Sequence, residues 1–379
     1  MNSEHLKASE GGLTPRRRFS YPAKEHQLDI LKSVYIQGGK IYCRMGKEQF
    51  LCVIDESTLT LEKKQSFEGI AVAYVGDNEI LFQAKGKPGI VLDKNLFDQK
   101  MQEVSIPDTL ILVNKRNENE LLFSSLPFAI GLYKWPSMQC LWSHSLVDAP
   151  DKCRFASNGY VYAIHMRGYR KIDLATGNTV FEKASNDWLS HPFFAGKNLK
   201  ELEVKSEATG IFADTLLLVL NHGTVGIDVN TGEVRWALDV GGRQKIRVTE
   251  DGIAWLVKTD EIIRIDMASG TLLPKLPIQY EPVLKKDPSA NTGGFDLSET
   301  HVIAEVAGRT KQGMQTHVVG IHRDTGVVEW AVPIQGMLMS LFLLNNRIYA
   351  SGTMMTPDNL KNPAAQTLVI EGEGGYIPD

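Results

Sequence analysis

The chain is poor in everything that usually announces chemistry. Its 379 residues hold four cysteines, Cys43, Cys52, Cys140 and Cys153, none in a Cys-x-x-Cys pair, which excludes the common zinc spacings. So few cysteines fit a reducing compartment. Cys43 and Cys52 fall on neighbouring predicted strands and read as free, buried thiols. There is no P-loop, no HExxH, no GxSxG and no GxGxxG. The nine histidines are scattered without ligand spacing, so no metal site and no catalytic residue is expected. No run approaches the roughly 18 apolar residues of a membrane span. The first twenty residues are polar and lack a signal-peptide core, so a cytoplasmic location is expected. A net charge of −4 argues against general nucleic-acid binding. Sustained helical periodicity is missing as well.

What the chain does have is one phrase, repeated. Ile227-Asp228-Val229-Asn230-Thr231-Gly232 leads to Trp236, and Ile321-His322-Arg323-Asp324-Thr325-Gly326 leads to Trp330. Ile172-Asp173-Leu174-Ala175-Thr176-Gly177 leads to Phe181, and Ile265-Asp266-Met267-Ala268-Ser269-Gly270 is a fourth copy. Degenerate copies are marked by Asp55, Asp93, Tyr133 and Glu371, and Trp142 follows Tyr133. The markers give eight candidate units, and four of the gaps between them lie near 40 residues. A phrase recurring at such a period means stacked copies of one supersecondary unit.

The phrase itself is hairpin chemistry. The Asp oxygen accepts from backbone N–H groups further along the turn, and Gly takes the left-handed conformation of a bulged hairpin. The aromatic eight residues after the Asp falls on the next strand. A large ring at a fixed place in each unit is an anchor between units, so Trp142, Phe181, Trp236 and Trp330 are assigned to blade docking. One unit shows strands at 245–248, 253–257 and 261–265, with a fourth after Gly270. Four strands per period near 40 describe a β-propeller blade. The expected fold is all-β: a single propeller of four-stranded antiparallel blades over residues 16–379, eight blades, with seven as the alternative. Residues 1–15 are expected to be a flexible segment. The alternating residues Arg17 to Tyr21 are expected to close the ring as an outer strand of the last blade, with the tail 376–379 as the other candidate.

The Ile-Asp-x-x-Thr-Gly-x-x-x-Trp phrase resembles the repeat of quinoprotein-type (PQQ-repeat) β-propellers. That resemblance implies a docking Trp in most blades. It is poorly specific for activity, because the family spans pyrroloquinoline-quinone dehydrogenases, envelope assembly factors and plain binding scaffolds. The dehydrogenases carry a vicinal cysteine pair, which this sequence lacks, so no cofactor is expected and the non-catalytic branch is favoured.

Four stretches exceed what a compact unit needs: 182–199, 279–297, 307–316 and 353–366. Long loops are where propellers place binding determinants. The first holds Trp188, Leu189, His191, Phe193 and Phe194, residue types that make interface anchors, against the alternative that the loop buries its own rings. The basic run Arg16-Arg17-Arg18 reads as a solvated tail or strand edge rather than a nucleic-acid contact. The expected function is a monomeric, non-catalytic scaffold that binds a protein through loops on one face, with Trp188, His191, Phe193 and Phe194 as partner-binding residues. An immunity protein that masks a toxin is its concrete form. The alternatives are a hydrolase or lyase with a central-channel site, and a small-ligand or carbohydrate binder.

Overall fold

A computed structural model describes residues 14, 17–29, 31–45, 50–65, 70–76, 79–84, 89–93, 102–104, 109–117, 119–126, 129–145, 152–155, 159–188, 190–198, 203–240, 246–281, 283–284, 291–310, 313–335, 337–354 and 364–378. Among the described residues the strands form eight four-stranded sheets. Seven are simple meanders, blades 1 to 7 in chain order, over residues 31–65, 70–104, 109–145, 152–184, 204–238, 246–277 and 291–335. Blade 8 takes three strands from 337–372 and its fourth from the opposite end of the chain: Pro22–Asp29 lies antiparallel to Ala364–Gly372. Within each blade the strands are lettered a to d in their order across the sheet. The a strands touch between successive blades from 1 to 6 and between blades 7 and 8.

Burial follows this arrangement. Strand 5b (Thr215–Leu220) is buried at every position, because a blade packs on both of its faces. The outer strands 3d (Gln139–Ser145) and 8d (Pro22–Asp29) are mostly exposed. The core is a ring of clusters, each shared by two successive blades. Leu217, Trp236 and Val248 belong to one between blades 5 and 6. Ile41, Cys43, Phe342 and Tyr349 belong to one that joins blade 1 to blade 8.

The Asp-x-x-Thr-Gly turns form as their chemistry requires. Asp173 Oδ1 accepts from the N–H groups of Ala175 (3.0 Å) and Thr176 (2.8 Å), and Gly177 N donates back to Asp173 O at 2.8 Å. Asp228 Oδ1 holds Asn230 N (2.7 Å) and Thr231 N (3.0 Å) in the same way. Gly177, Gly232, Gly270 and Gly326 all have φ between 71° and 77°. In the copy that lacks Gly, Leu59 takes the same place at φ 58° and buries its side chain in the blade 8–blade 1 cluster.

These turns carry a pH dependence. The Lys40 ammonium, the Ser57 hydroxyl and the Thr58 N–H hold Asp55 well below the usual carboxylate range. The Ser269 hydroxyl and N–H lower Asp266. At Asp228, burial pushes upward, but the Arg235 bond and the Thr231 and Asn230 N–H groups outweigh it, and the result is lowered. A carboxylate whose folded pKa lies below its unfolded value of about 3.9 gives stability that is present above that value and lost as pH falls through the folded one. The urea midpoint should therefore fall progressively as pH drops below about 4, through the folded pKa values of these carboxylates. An Asp55→Asn, Asp228→Asn, Asp266→Asn triple variant should be less stable at pH 7 and show a shallower acid loss. Equal acid slopes would remove the turns as its source.

The N-terminal segment differs from expectation in three ways. The closing strand is Pro22–Asp29 rather than residues 17–21. Within residues 17–21, Phe19 and Arg17 turn inward instead: Phe19 is buried against Trp330, with ring centroids 5.6 Å apart, and Arg17 reaches the buried carboxylate of Asp296 at 2.7 Å, while Arg18 and Tyr21 stay exposed. Thr14, inside the stretch expected to be flexible, donates its N–H to Val248 O at 2.6 Å and bridges Thr249 in parallel. Thr14 and residues 17–21 thus form a strap from blade 6 to blade 8. The tail 373–378 forms no strand; its Tyr376 hydroxyl reaches Glu56 Oε2 at 3.0 Å.

The meander topology also fixes two faces. The a–b and c–d turns, including every Asp-x-x-Thr-Gly turn, lie at one end of the blades. The b–c turns and the blade-to-blade connections lie at the other. The strap runs on the turn face, bonded at the a–b turns of blades 6 and 7 through Val248 and Glu299.

Candidate functional site

The docking aromatics show how blades are joined. Trp142 Nε1 donates to Leu174 O of blade 4 at 3.1 Å, and Trp236 Nε1 to Met267 O of blade 6 at 3.0 Å. Both acceptors sit one residue after the turn Asp of the following blade. The ring then lies on that blade's turn Gly: a Cβ on Gly177 would meet Trp142 Cγ at 2.5 Å, and one on Gly270 would meet Trp236 Cγ at 2.4 Å. At Gly232 the place is shared: a Cβ there would meet Lys183 Cε at 2.6 Å and Phe181 Cε2 at 3.2 Å. Two positions before the turn Asp, beneath the ring, blades 5 and 7 carry Gly226 and Gly320, whose Cβ atoms would lie 2.1 and 2.0 Å from Trp236 and Trp330. Blade 4 carries Lys171 there, its Nζ 5.4 Å from the Phe181 ring centroid and also above the Tyr160 ring. At the end of the series, Trp330 Nε1 donates at 2.8 Å to Ser20 O of the strap.

Blade 6 breaks the pattern. The place eight residues after Asp266 is held by Pro274, strand 6d shrinks to Leu276–Pro277, and Leu272 makes only an isolated bridge with Ile265. Pro277 O, a backbone atom, lies where a ring would meet Gly326. The seam between blades 6 and 7 is packed by Trp255, Ile262, Tyr280, Phe295 and Val328, and a groove of about 490 Å3 lies beside it on the turn face, lined by Trp255, Arg264, Leu273, Glu299, Arg323 and Asp324 among others. Arg323 lies 4.4 Å and Arg264 5.6 Å above the Trp255 ring. Arg264 Nη2 donates to Pro274 O at 3.0 Å, while its buried Nε has no acceptor.

The loop of residues 185–198 stands on the opposite face. It folds as two 3-10 turns, Ser185–Trp188 and Pro192–Phe194. Two of the four residues expected to touch a partner are turned inward. Trp188 is 3% exposed and Phe194 0%, both in the blade 4–blade 5 cluster, so this pair is corrected from contact residues to anchors. Large rings on a short loop gain more from that cluster than from water. Phe193 is half-buried against Gly223 and stands edge-on to Phe194, with centroids 5.0 Å apart. His191, also half-buried, caps the second turn by accepting the Phe193 N–H at its Nδ1, 3.3 Å away. Leu189 lies outside the described residues.

Strand topology places the strand ends that flank the four long stretches on this insertion face, although Gln279 N donates to Gly326 O at the c–d turn of blade 7, 2.9 Å away. Residues 182–199 join blade 4 to blade 5, and 279–297 join blade 6 to blade 7. Residues 307–316 and 353–366 fall at the b–c turns of blades 7 and 8. The third is a correction in kind: it is a hairpin extension, paired as far as Thr310 and Gly313, not a loop. Beside the first loop, Met166 on the b–c turn of blade 4 is 43% exposed and accepts Val204 N at its carbonyl, 2.8 Å away.

Of the basic run, Arg17 pairs internally with Asp296, Arg18 is exposed, and Arg16 lies outside the described residues. Cys43 and Cys52 face each other across strands 1b and 1c as buried free thiols, and burial pushes Cys52 up to about 11. Most side chains of the a strands in blades 2 to 4 lie outside those described, and the central-channel alternative falls there. Among the described residues, no group of three His, Cys, Asp or Glu side chains is placed to hold a metal ion, and no helix is long and apolar enough to cross a membrane.

Blade architecture and docking geometry together define a β-propeller of PQQ-repeat-like fold. BamB from Moraxella catarrhalis shares that fold at a TM-score of 0.58 and 13% identity, over 92% of this chain and 99% of that one. The computationally designed Ika8 protein matches at a TM-score of 0.60 and 12% identity, over 94% and 98%. No family model and no curated protein sequence matches the chain. At these identities the likeness is one of fold.

Proposed function

We propose that the chain is a non-catalytic scaffold that binds one protein partner through its insertion face. The support for this reading is that the strand ends flanking the four insertions fall at one end of the blades, with the first insertion pinned from within by Trp188 and Phe194. A loop held by buried rings loses little freedom on binding, so more of its contact energy appears as affinity. Met166 supplies an exposed apolar contact at the foot of that loop, with the exposed Arg167 beside it. The concrete form of the reading is a monomeric, cytoplasmic immunity protein that masks a toxin one-to-one.

A tagged pull-down from the native cell, washed at low and high salt and read by mass spectrometry, tests it. The expected result is one stoichiometric protein that survives high salt and is lost with Met166→Glu at unchanged thermal stability. If nothing is retained, or if Met166→Glu retains the partner fully, the insertion face is not the interface. Co-expression of the captured partner, toxic alone and harmless with this chain, tests the masking role.

A further inference from the structure

We infer that the groove beside the blade 6–blade 7 seam is a binding site for a free basic α-amino acid, a ligand with one carboxylate and two cationic groups. The groove holds about 490 Å3 on the turn face, a volume within the range of small-ligand pockets. Among the described residues its charged lining is two guanidiniums, Arg264 and Arg323, and three carboxylates, Asp251, Glu299 and Asp324. The three acids are exposed, whereas both arginines are half-buried over the Trp255 ring. The cations therefore sit deep and the anions form the rim, and negative charge is in excess.

Arg264 supplies the observation that points to a ligand. Elsewhere in the propeller, half-buried or buried arginines hold a carboxylate with both Nε and Nη2: Arg170 holds Glu182, Arg235 holds Asp228 and Arg347 holds Glu371. Arg264 breaks that habit. Its Nη2 donates to Pro274 O at 3.0 Å, its Nε has no acceptor, and among the described residues it pairs with no carboxylate. Contact with a ring engages the face of a guanidinium, whereas its N–H groups lie at the edge and still call for acceptors. The carboxylate that Arg264 lacks is the one an α-amino acid brings. Arg323, whose Nη1 donates to Ser298 O at 2.8 Å, places a second guanidinium over the same ring. A simple anion would meet repulsion at the acidic rim, but a ligand that also carries cations turns that repulsion into attraction. An α-ammonium group suits the rim carboxylates, and a cationic side chain offsets the excess negative charge. Ile253 and Leu273 give its methylene stem an apolar wall. Trp255 is only 4% exposed beneath the two arginines, so it offers no stacking platform to a sugar or a nucleobase. The groove lies on the turn face, opposite the insertion face, so this site does not rest on the proposed partner interface.

Calorimetric titration of the full chain with L-arginine tests this. The expected result is saturable, one-to-one binding. Agmatine lacks the carboxylate and N-acetyl-L-arginine lacks the α-ammonium group, and each should bind at least about 10-fold more weakly, the loss of one charge-assisted contact. L-Glutamate, which adds a negative charge, should not bind. Arg264→Met keeps the length of the side chain over Trp255 but not its charge, and should weaken L-arginine about 10-fold at an unchanged melting temperature. Should that variant lose its fold, the double variant Glu299→Gln, Asp324→Asn, which alters only exposed side chains, gives a second reading. It should lose most of the preference for L-arginine over the N-acetyl form. No saturable binding of L-arginine would overturn the proposal, as would agmatine or L-glutamate bound as tightly as L-arginine. So would full affinity in a folded Arg264→Met variant, or an undiminished preference in the rim variant.

Discussion

Deletion of residues 1–21 should destabilise the protein by at least about 3–5 kcal/mol, although it removes no strand from any sheet. The reason is Asp296. Its carboxylate is 4% exposed, on strand 7a, and its close partner is Arg17 at 2.7 Å. Leu343 N of blade 8 donates to the same Oδ2 at 2.8 Å, and Arg247 of blade 6 lies 4.0 Å from the other oxygen. One carboxylate therefore ties blades 6, 7 and 8 to the strap. Removing one partner of a buried pair leaves an uncompensated charge, which costs far more than the pair contributes over an apolar replacement. The deletion also strips Phe19 from the blade 7–blade 8 cluster and leaves the Trp330 N–H without Ser20 O. Urea unfolding of the deletion and of Arg17→Ala would measure this. Arg17→Ala should account for most of the loss, and Asp296→Asn introduced into Arg17→Ala should recover part of it by removing the stranded charge. A deletion whose unfolding midpoint equals that of the intact chain would show that blade 8 closes on the outer strand alone.

The propeller was legible because its signal is periodic. Asp228, Asp266 and Asp173 each do locally what their turn chemistry dictates, the rings at 142, 181 and 236 each reach the next blade, and Trp330 reaches the strap. The closing strand was legible only as to chain end. Its register depends on Phe19 and Arg17 finding Trp330 and Asp296, contacts across roughly 280 and 310 residues that no local pattern encodes. The loop rings show the same limit from the other side. Trp188 and Phe194 on a polar loop look identical in sequence whether they face a partner or a core; the Tyr162, Leu216 and Val225 surface that receives them is assembled from two blades. The groove left a readable trace, Pro274 where the repeat calls for a ring, but an interruption in a degenerate repeat gains meaning only once Arg264 and Arg323 are seen across the same seam.

Trp236→Ala and Trp330→Ala should each destabilise by about 3–5 kcal/mol, the range for a truncated buried aromatic. Both rings are nearly buried, at 8% and 7% exposure, and both close a joint by donating their indole N–H to a backbone carbonyl. Neither joint can refill easily, because the glycines beneath the rings, Gly226 and Gly320, offer no side chain to move into the space. The two variants differ in what they couple to. Trp236 meets only blade 6, through Met267 O and Gly270. Trp330 meets the strap, through Ser20 O and Phe19. Combined with the 1–21 deletion, Trp236→Ala should be additive within about 0.5 kcal/mol, whereas Trp330→Ala should cost markedly less than it does in the intact chain. Additivity for both would mean that Trp330 docks on blade 8 itself, with the strap a bystander. A loss below about 1 kcal/mol for both single variants would remove the rings as the joints of the propeller.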